Sequence, residues 1–228
     1  MTCATANKTF LSNIGNDAKA LWRHHDPTTS ESFLQGREEL HVSLISLASF
    51  VGRLLSGVGS DQLVARLHAS RFWCLVASAL LFTAAQLAAI AVATPQLLFV
   101  VSALTGAAYG ALFGVFPALT ADAFGVQGLS LNWGFMIFAP VVSGNFYNLA
   151  YGAVYDARSV PREGRGGGGG GGGERECLAG RECYVSAYYV TLASSAAGVI
   201  LACWCVKFEA MKRRRIAASR RDSNAYIE

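Results

Sequence analysis

Arg53 stands alone in an apolar run, Leu44 to Asp61, which reads LISLASFVGRLLSGVGSD. A cation placed in hydrocarbon costs roughly 2.5–3.5 kcal/mol on insertion scales, so it is rare there unless it faces a cavity or a partner. Three readings of Arg53 are open. It can bind an anionic solute, pair with a carbonyl or an acid on another helix, or snorkel toward a membrane face. Asp61 lies eight residues further on, about 12 Å at roughly 1.5 Å per residue, so snorkelling is within reach. The run ends in Gly57-Val58-Gly59-Ser60-Asp61, a turn-prone and acidic exit. Asp61 reads as a cap or a cytoplasmic ion-pair partner in gating rather than as a substrate contact. Small residues recur at every fourth position, at Ala48, Gly52, Ser56 and Ser60.

Tyr109 and Asn132 are polar side chains inside apolar stretches that can hydrogen-bond a solute. The bland reading for each is an interhelical hydrogen bond, worth about 0.6–2 kcal/mol. Gly106, Gly110 and Gly114 share one helix face and let another backbone approach closely. Lining a pathway is the second reading of that face. The apolar stretches hold no clustered carboxylates, no nucleophile beside a base and no metal-ligand spacing, so a membrane-embedded enzyme is disfavoured. Neither a metal nor a cofactor is expected.

The elements that must position these residues are membrane spans. Hydrophobic residues make up 53% of the 228 and charged residues 15%, where about 25% charged is usual in globular proteins. Between Arg71 and Asp156 the only charge is Asp122. Surface left that bare suits lipid, and contact with a lipid bilayer is expected. The net charge of +4 owes much to the C-terminal tail and gives no argument for nucleic acid. The fold expected is all-α and polytopic, with about five transmembrane helices at 40–63, 72–93, 97–121, 129–155 and 184–206. Residues 1–39 read as the end of a preceding helix followed by a loop. Residues 40–207 are the helical bundle and 208–228 a basic tail. Pro117 should kink the third span and Pro140 bend the fourth, with a short turn between them at Asp122 to Gly128. The 156–183 loop contains eight consecutive glycines, Gly166 to Gly173, which read as a flexible tract.

Seven Lys and Arg in the tail, from Lys207 to Arg221, place it in the cytoplasm. The 62–71 loop and the Asp122–Gly128 turn then share that side, and the N-terminus lies opposite. An odd number of spans with an outside start is what a chain lacking earlier helices would show. Cys177 and Cys183 flank a short segment of the opposite loop and can pair if it meets an oxidising compartment, or stay as two thiols.

Gly52-Arg53-Leu54-Leu55-Ser56-Gly57-Val58-Gly59-Ser60-Asp61, followed by Arg66 and Arg71, resembles the eighth helix and cytoplasmic loop of major facilitator superfamily transporters. Gly57, Asp61 and Arg66 match part of that loop signature, whose usual following basic cluster is reduced here to Gln62 and a lone Arg66. From about Asn13 to Tyr155 the chain resembles fungal transporters of the monocarboxylate-transporter-homologue group, related to nodulin-like proteins. The resemblance implies that the spans are helices eight to twelve of a twelve-helix fold, with Ser12 to Asn16 ending the seventh. It implies a secondary transporter, or a C-terminal part of one, that moves a small organic solute by alternating access at a site between two six-helix halves. A monocarboxylate is the implied solute class, with Arg53 at the position that meets the carboxylate. Four residues earlier, where those carriers place an acid, stands Ser49. The implied partners are an N-terminal half and the solute, and the implied location is the vacuolar membrane, with the plasma membrane as alternative. The competing reading is a truncated, non-transporting membrane protein or scaffold.

Overall fold

A computed structural model describes the backbone of residues 2–26, 28–161, 175–177 and 179–225. Side chains are described from Asn13 onward, except at 27, 160–176, 178, 181, 217 and 220–228. The glycine tract Gly166–Gly173 therefore lies outside the described residues.

Five helices carry the described chain: α1 Thr2–His25, α2 Glu31–Leu67, α3 Phe72–Ala91, α4 Leu98–Arg158 and α5 Val185–Ala225. Short 3-10 turns at Pro95–Leu97 and Gly180–Cys183 precede α4 and α5. Two residue pairs, Val160 with Glu176 and Pro161 with Arg175, form a minimal antiparallel ladder β1–β2. Helices α2 to α5 are each long and apolar enough to cross a membrane. The protein is an all-α, integral, multi-pass membrane protein. Large apolar side chains such as Leu131, Phe135, Phe138 and Leu149 stand exposed on its outer surface, where lipid tails would solvate them.

Helix α4 runs for 61 residues. Straight, it would measure about 90 Å, far more than a hydrocarbon core of about 30 Å. Gly125 resolves the mismatch. Its φ of 73° and ψ of 167° leave the helical region, a conformation glycine adopts without steric cost. The arms 98–124 and 126–158 then fold back on each other. Phe113 meets Trp133 edge-on at 6.4 Å, and Thr120 Oγ1 donates to Met136 Sδ at 3.2 Å. This hairpin accounts for the expected third and fourth spans. The reversal falls inside the expected Asp122–Gly128 turn. Pro117 and Pro140, by contrast, sit within helical backbone. A proline ring is compatible with helical φ, and packing neighbours support the lost hydrogen bond.

Helix α2 passes straight through the expected exit at Gly57–Asp61 and ends at Leu67. His68, with φ of 49°, closes it by donating its backbone N–H to Leu63 O. Two glycines cost about 1 kcal/mol each in a helix, less than opening several backbone hydrogen bonds near lipid. At its other end α2 starts at Glu31, capped by Ser30 Oγ, which accepts from Phe33 N at 3.4 Å. Helix α1 reaches His25, with Ile14, Ala18 and Leu21 buried against the bundle. Helix α5 continues through the basic Lys212–Arg215 cluster, where Arg213 pairs with Glu209 at 2.8 Å. Cys177 and Cys183 form a disulfide.

The tightest contact joins α2 to the first arm of α4. A Cβ added to Gly106 would lie 2.5 Å from Ile45 O, and one added to Gly52 would lie 2.5 Å from Ala107 O. At Gly110 it would collide with Ser49 O, and at Gly114 with Ser56 Oγ. Small residues on both helices thus let two backbones touch, the usual basis of helix association in lipid.

Gly110→Ala should push the helices apart and cost about 1–3 kcal/mol. Gly134→Ala, where a Cβ meets nothing within 4 Å, should be neutral or slightly stabilising. Thermal unfolding of the purified protein in detergent separates the two.

Candidate functional site

Packing sets the direction in which Arg53 points. Ile45, Ser49, Gly52 and Ser60 are the buried face of α2 in this region. Arg53 lends its backbone to the contact with Gly114, while its side chain stands exposed among Phe50, Leu54 and Leu55. No ion pair or hydrogen bond reaches that side chain among the described residues. Ser49, where an acid was expected by resemblance, is 9% exposed and faces Gly110.

Tyr109 and Asn132 are placed elsewhere. Tyr109 is half-buried, meets the Phe113 ring at a 38° tilt with centroids 4.6 Å apart, and packs against the cluster of Ala79, Phe82, Ala108 and Leu112 between α3 and α4. Asn132 Nδ2 donates to Gly128 O at 2.8 Å, one turn back on its own helix. Among the described residues no bond joins Arg53, Tyr109 and Asn132. Surface grooves among the described residues include one of about 570 Å³ beside Gln35 to Ser43 on α2 and one of about 800 Å³ between His25, Thr94, Glu182 and Tyr189. Arg53 lines neither.

The loop signature organises a second locus. Arg71, at the start of α3, donates to Asp61 Oδ1 at 2.5 Å and to Ser60 Oγ at 3.0 Å. It also lies 2.9 Å from Asp122 Oδ2 at the tip of the α4 hairpin. One guanidinium thus ties α2, α3 and α4 together. The hydrogen bond it donates to Asp61, against partial burial and with help from Asp122, holds its pKa above the ordinary arginine value. Gly57 faces open space, and Arg66 is exposed and outside this network. The sequence pointed to Arg71 only as a flanking residue. Its partner Asp122, a lone charge in a long uncharged stretch, was the available signal.

Inside the bundle, polar side chains pair across helices. Thr191 Oγ1 donates to Gln86 Oε1 at 2.7 Å. His41 Nδ1 lies 2.8 Å from Ser102 Oγ, its ring stacked on Phe99 at 4.1 Å. Asn13 Nδ2 donates to Asn148 Oδ1 at 3.2 Å. Residue-type reasoning passed over Asp17, which is 0% exposed and accepts from Tyr151 Oη and Tyr188 Oη, each at 2.5 Å. Its carboxylate gives no periodic signal, and both partners come from more than 130 residues away.

Whole-sequence comparison finds relatives among fungal proteins. A protein named probable transporter mch1 from Neurospora crassa is 30% identical over 226 residues, covering 86% of this chain and 36% of that protein. An uncharacterised membrane protein of Saccharomyces cerevisiae is 31% identical over 194 residues, covering 80% of this chain and 34% of that one. The probable transporter MCH1 of the same yeast is 29% identical over 152 residues, covering 65% and 29%. The chain thus spans about a third of the length of these relatives. No family model matches the chain, and no solved structure matches it significantly.

Arg71→Ala should destabilise the detergent-solubilised protein by up to about 1 kcal/mol, the range of a largely solvated ion pair. Arg66→Ala should have no measurable effect. Hydrogen exchange at residues 120–128 should rise in the first variant alone.

Proposed function

We propose, for a chain that is homologous along most of its length to fungal proteins named as probable transporters, that it forms the C-terminal portion of a secondary carrier for a small organic anion. A monocarboxylate is the first solute to try. The observation that carries this reading is the position of Arg53. Its guanidinium stands on an uncovered face of α2 beside Phe50, Leu54 and Leu55. Turned to lipid, it would carry the insertion cost of roughly 2.5–3.5 kcal/mol. Turned to a water-filled passage between two halves, it costs little and meets anions.

In this reading an N-terminal half covers that face, and the solute binds between the halves. The α2–α4 backbone contact makes this half rigid, and alternating access then moves it as one body. The Arg71 network closes the cytoplasmic side of α2, α3 and α4. The basic stretch from Lys207 lies on the same side, and the Cys177–Cys183 disulfide on the opposite, oxidising side. The named relatives suggest a carrier rather than an enzyme. A vacuolar location goes with the reading and rests on resemblance alone.

Uptake of radiolabelled lactate, pyruvate and acetate into liposomes holding the native protein tests it. Arg53→Ala should reduce uptake of at least one of these by tenfold or more, since a charge-assisted hydrogen bond is worth about 1.5–3 kcal/mol. Arg53→Lys should keep part of it. Equal uptake by wild type and Arg53→Ala for every transported anion rules Arg53 out as the solute contact.

A further inference from the structure

Asp17 is the one fully buried acid among the described residues. Each of its oxygens meets one tyrosine hydroxyl, Tyr151 on the second arm of α4 and Tyr188 on α5. No cation pairs with it among the described residues. Around it, Tyr155 stacks on Tyr151 at 6.0 Å and Tyr184 meets Tyr188 edge-on at 5.4 Å. From α2, the Glu38 carboxyl lies against Gly15, two residues before Asp17 and therefore on a different face of α1. On α1 itself Arg23 is paired with Glu31. His24 turns to Gly180 beyond the helix end.

A lone carboxylate in such surroundings loses its hydration, a large cost for the charged form. Two hydroxyl donors offset part of it. The neutral acid fits the same cage at no electrostatic cost. A tyrosine hydroxyl both donates and accepts, so a protonated Asp17 keeps both contacts by donating in one and accepting in the other. The cage therefore holds either form. What differs between the forms is their tolerance of dryness. The cage links α1 to α4 and α5, and Asn13 with Asn148 adds a second side-chain link between α1 and α4.

We propose that Asp17 is a proton-binding site, loaded from water when the α1–α4–α5 contact opens and carrying that proton when the contact is closed as seen here. The proposal rests on the carrier reading for its purpose, since it places a coupling proton at a residue remote from Arg53. Proton uptake needs only water and no other reactant.

Infrared difference spectra of the native protein in nanodiscs, recorded between neutral and alkaline buffer, test it. The wild type should show the carbonyl stretch of a protonated carboxyl that disappears as pH rises. Asp17→Asn should lose that band. Tyr151→Phe keeps the carboxyl and removes one hydrogen bond, so the band should shift in frequency. A band unchanged by both substitutions, or a wild type with no titrating carboxyl, overturns the proposal. The measurement needs no transported solute. A titrating Asp17 in a protein that moves no solute counts against the carrier reading alone, and an inert Asp17 in an active carrier counts against this proposal alone.

Discussion

The backbone-to-backbone contact between α2 and the first arm of α4 governs the rest of the molecule. Lipid tails are as apolar as leucine, so burying apolar side chains does not drive helices together inside a bilayer. Close van der Waals contact does. Gly106, Gly110 and Gly114 on α4 and Gly52 and Ser49 on α2 make that contact possible. It uses the face of α2 that carries Ser49 and Gly52. Once that face is committed, Arg53, one residue past Gly52, must look away from α4. The direction of the single intramembrane cation of α2 is thus a consequence of where the glycines lie.

Hydrogen bonds add a second layer of specification. Gln86 with Thr191 ties α3 to α5, His41 with Ser102 ties α2 to α4, and Asn13 with Asn148 ties α1 to α4. Each satisfies groups that would otherwise be costly in a dry interior. Their net contribution per pair is modest, on average about 0.6 kcal/mol in such settings, but each admits one register. Arg53 and Asp17 stand apart from this pattern. One has a charge and no partner among the described residues. The other has two hydroxyl partners and, among the described residues, no opposite charge. A charge without a partner and an acid without an opposite charge are the two arrangements on which the functional proposals rest.

Much of the fold was legible because lipid imposes a simple code. Uncharged blocks of the right length had to be helices, and the charge-poor stretch from Arg71 to Asp156 had to lie in the bilayer. The hairpin inside α4 was legible at Asp122–Gly128, although its cause was not. Prolines were the visible breakers, yet Gly125 alone turns the chain, because proline tolerates helical φ and a positive φ favours glycine. The exit read at Gly57–Asp61 was misleading for a related reason: glycine permits a turn without requiring one. The Arg71 bridge to Asp61 and Asp122 was only partly visible, since Asp61 lies in the loop signature, Arg71 merely flanks it and Asp122 lies in a distant turn.

From residue types and spacing alone came the membrane environment, the approximate crossings, the small-residue faces and the isolation of Arg53 in an apolar run. These depend on local composition and on a period of 3.6 residues, both of which one strand of sequence contains. Tertiary structure alone decided which small faces meet, that Arg71 rather than Arg66 is bridged, and that Asp17 is sealed between two tyrosines far along the chain. Those outcomes depend on which helices become neighbours, and that depends on backbone approach distances and hydrogen-bond registers that no local pattern records.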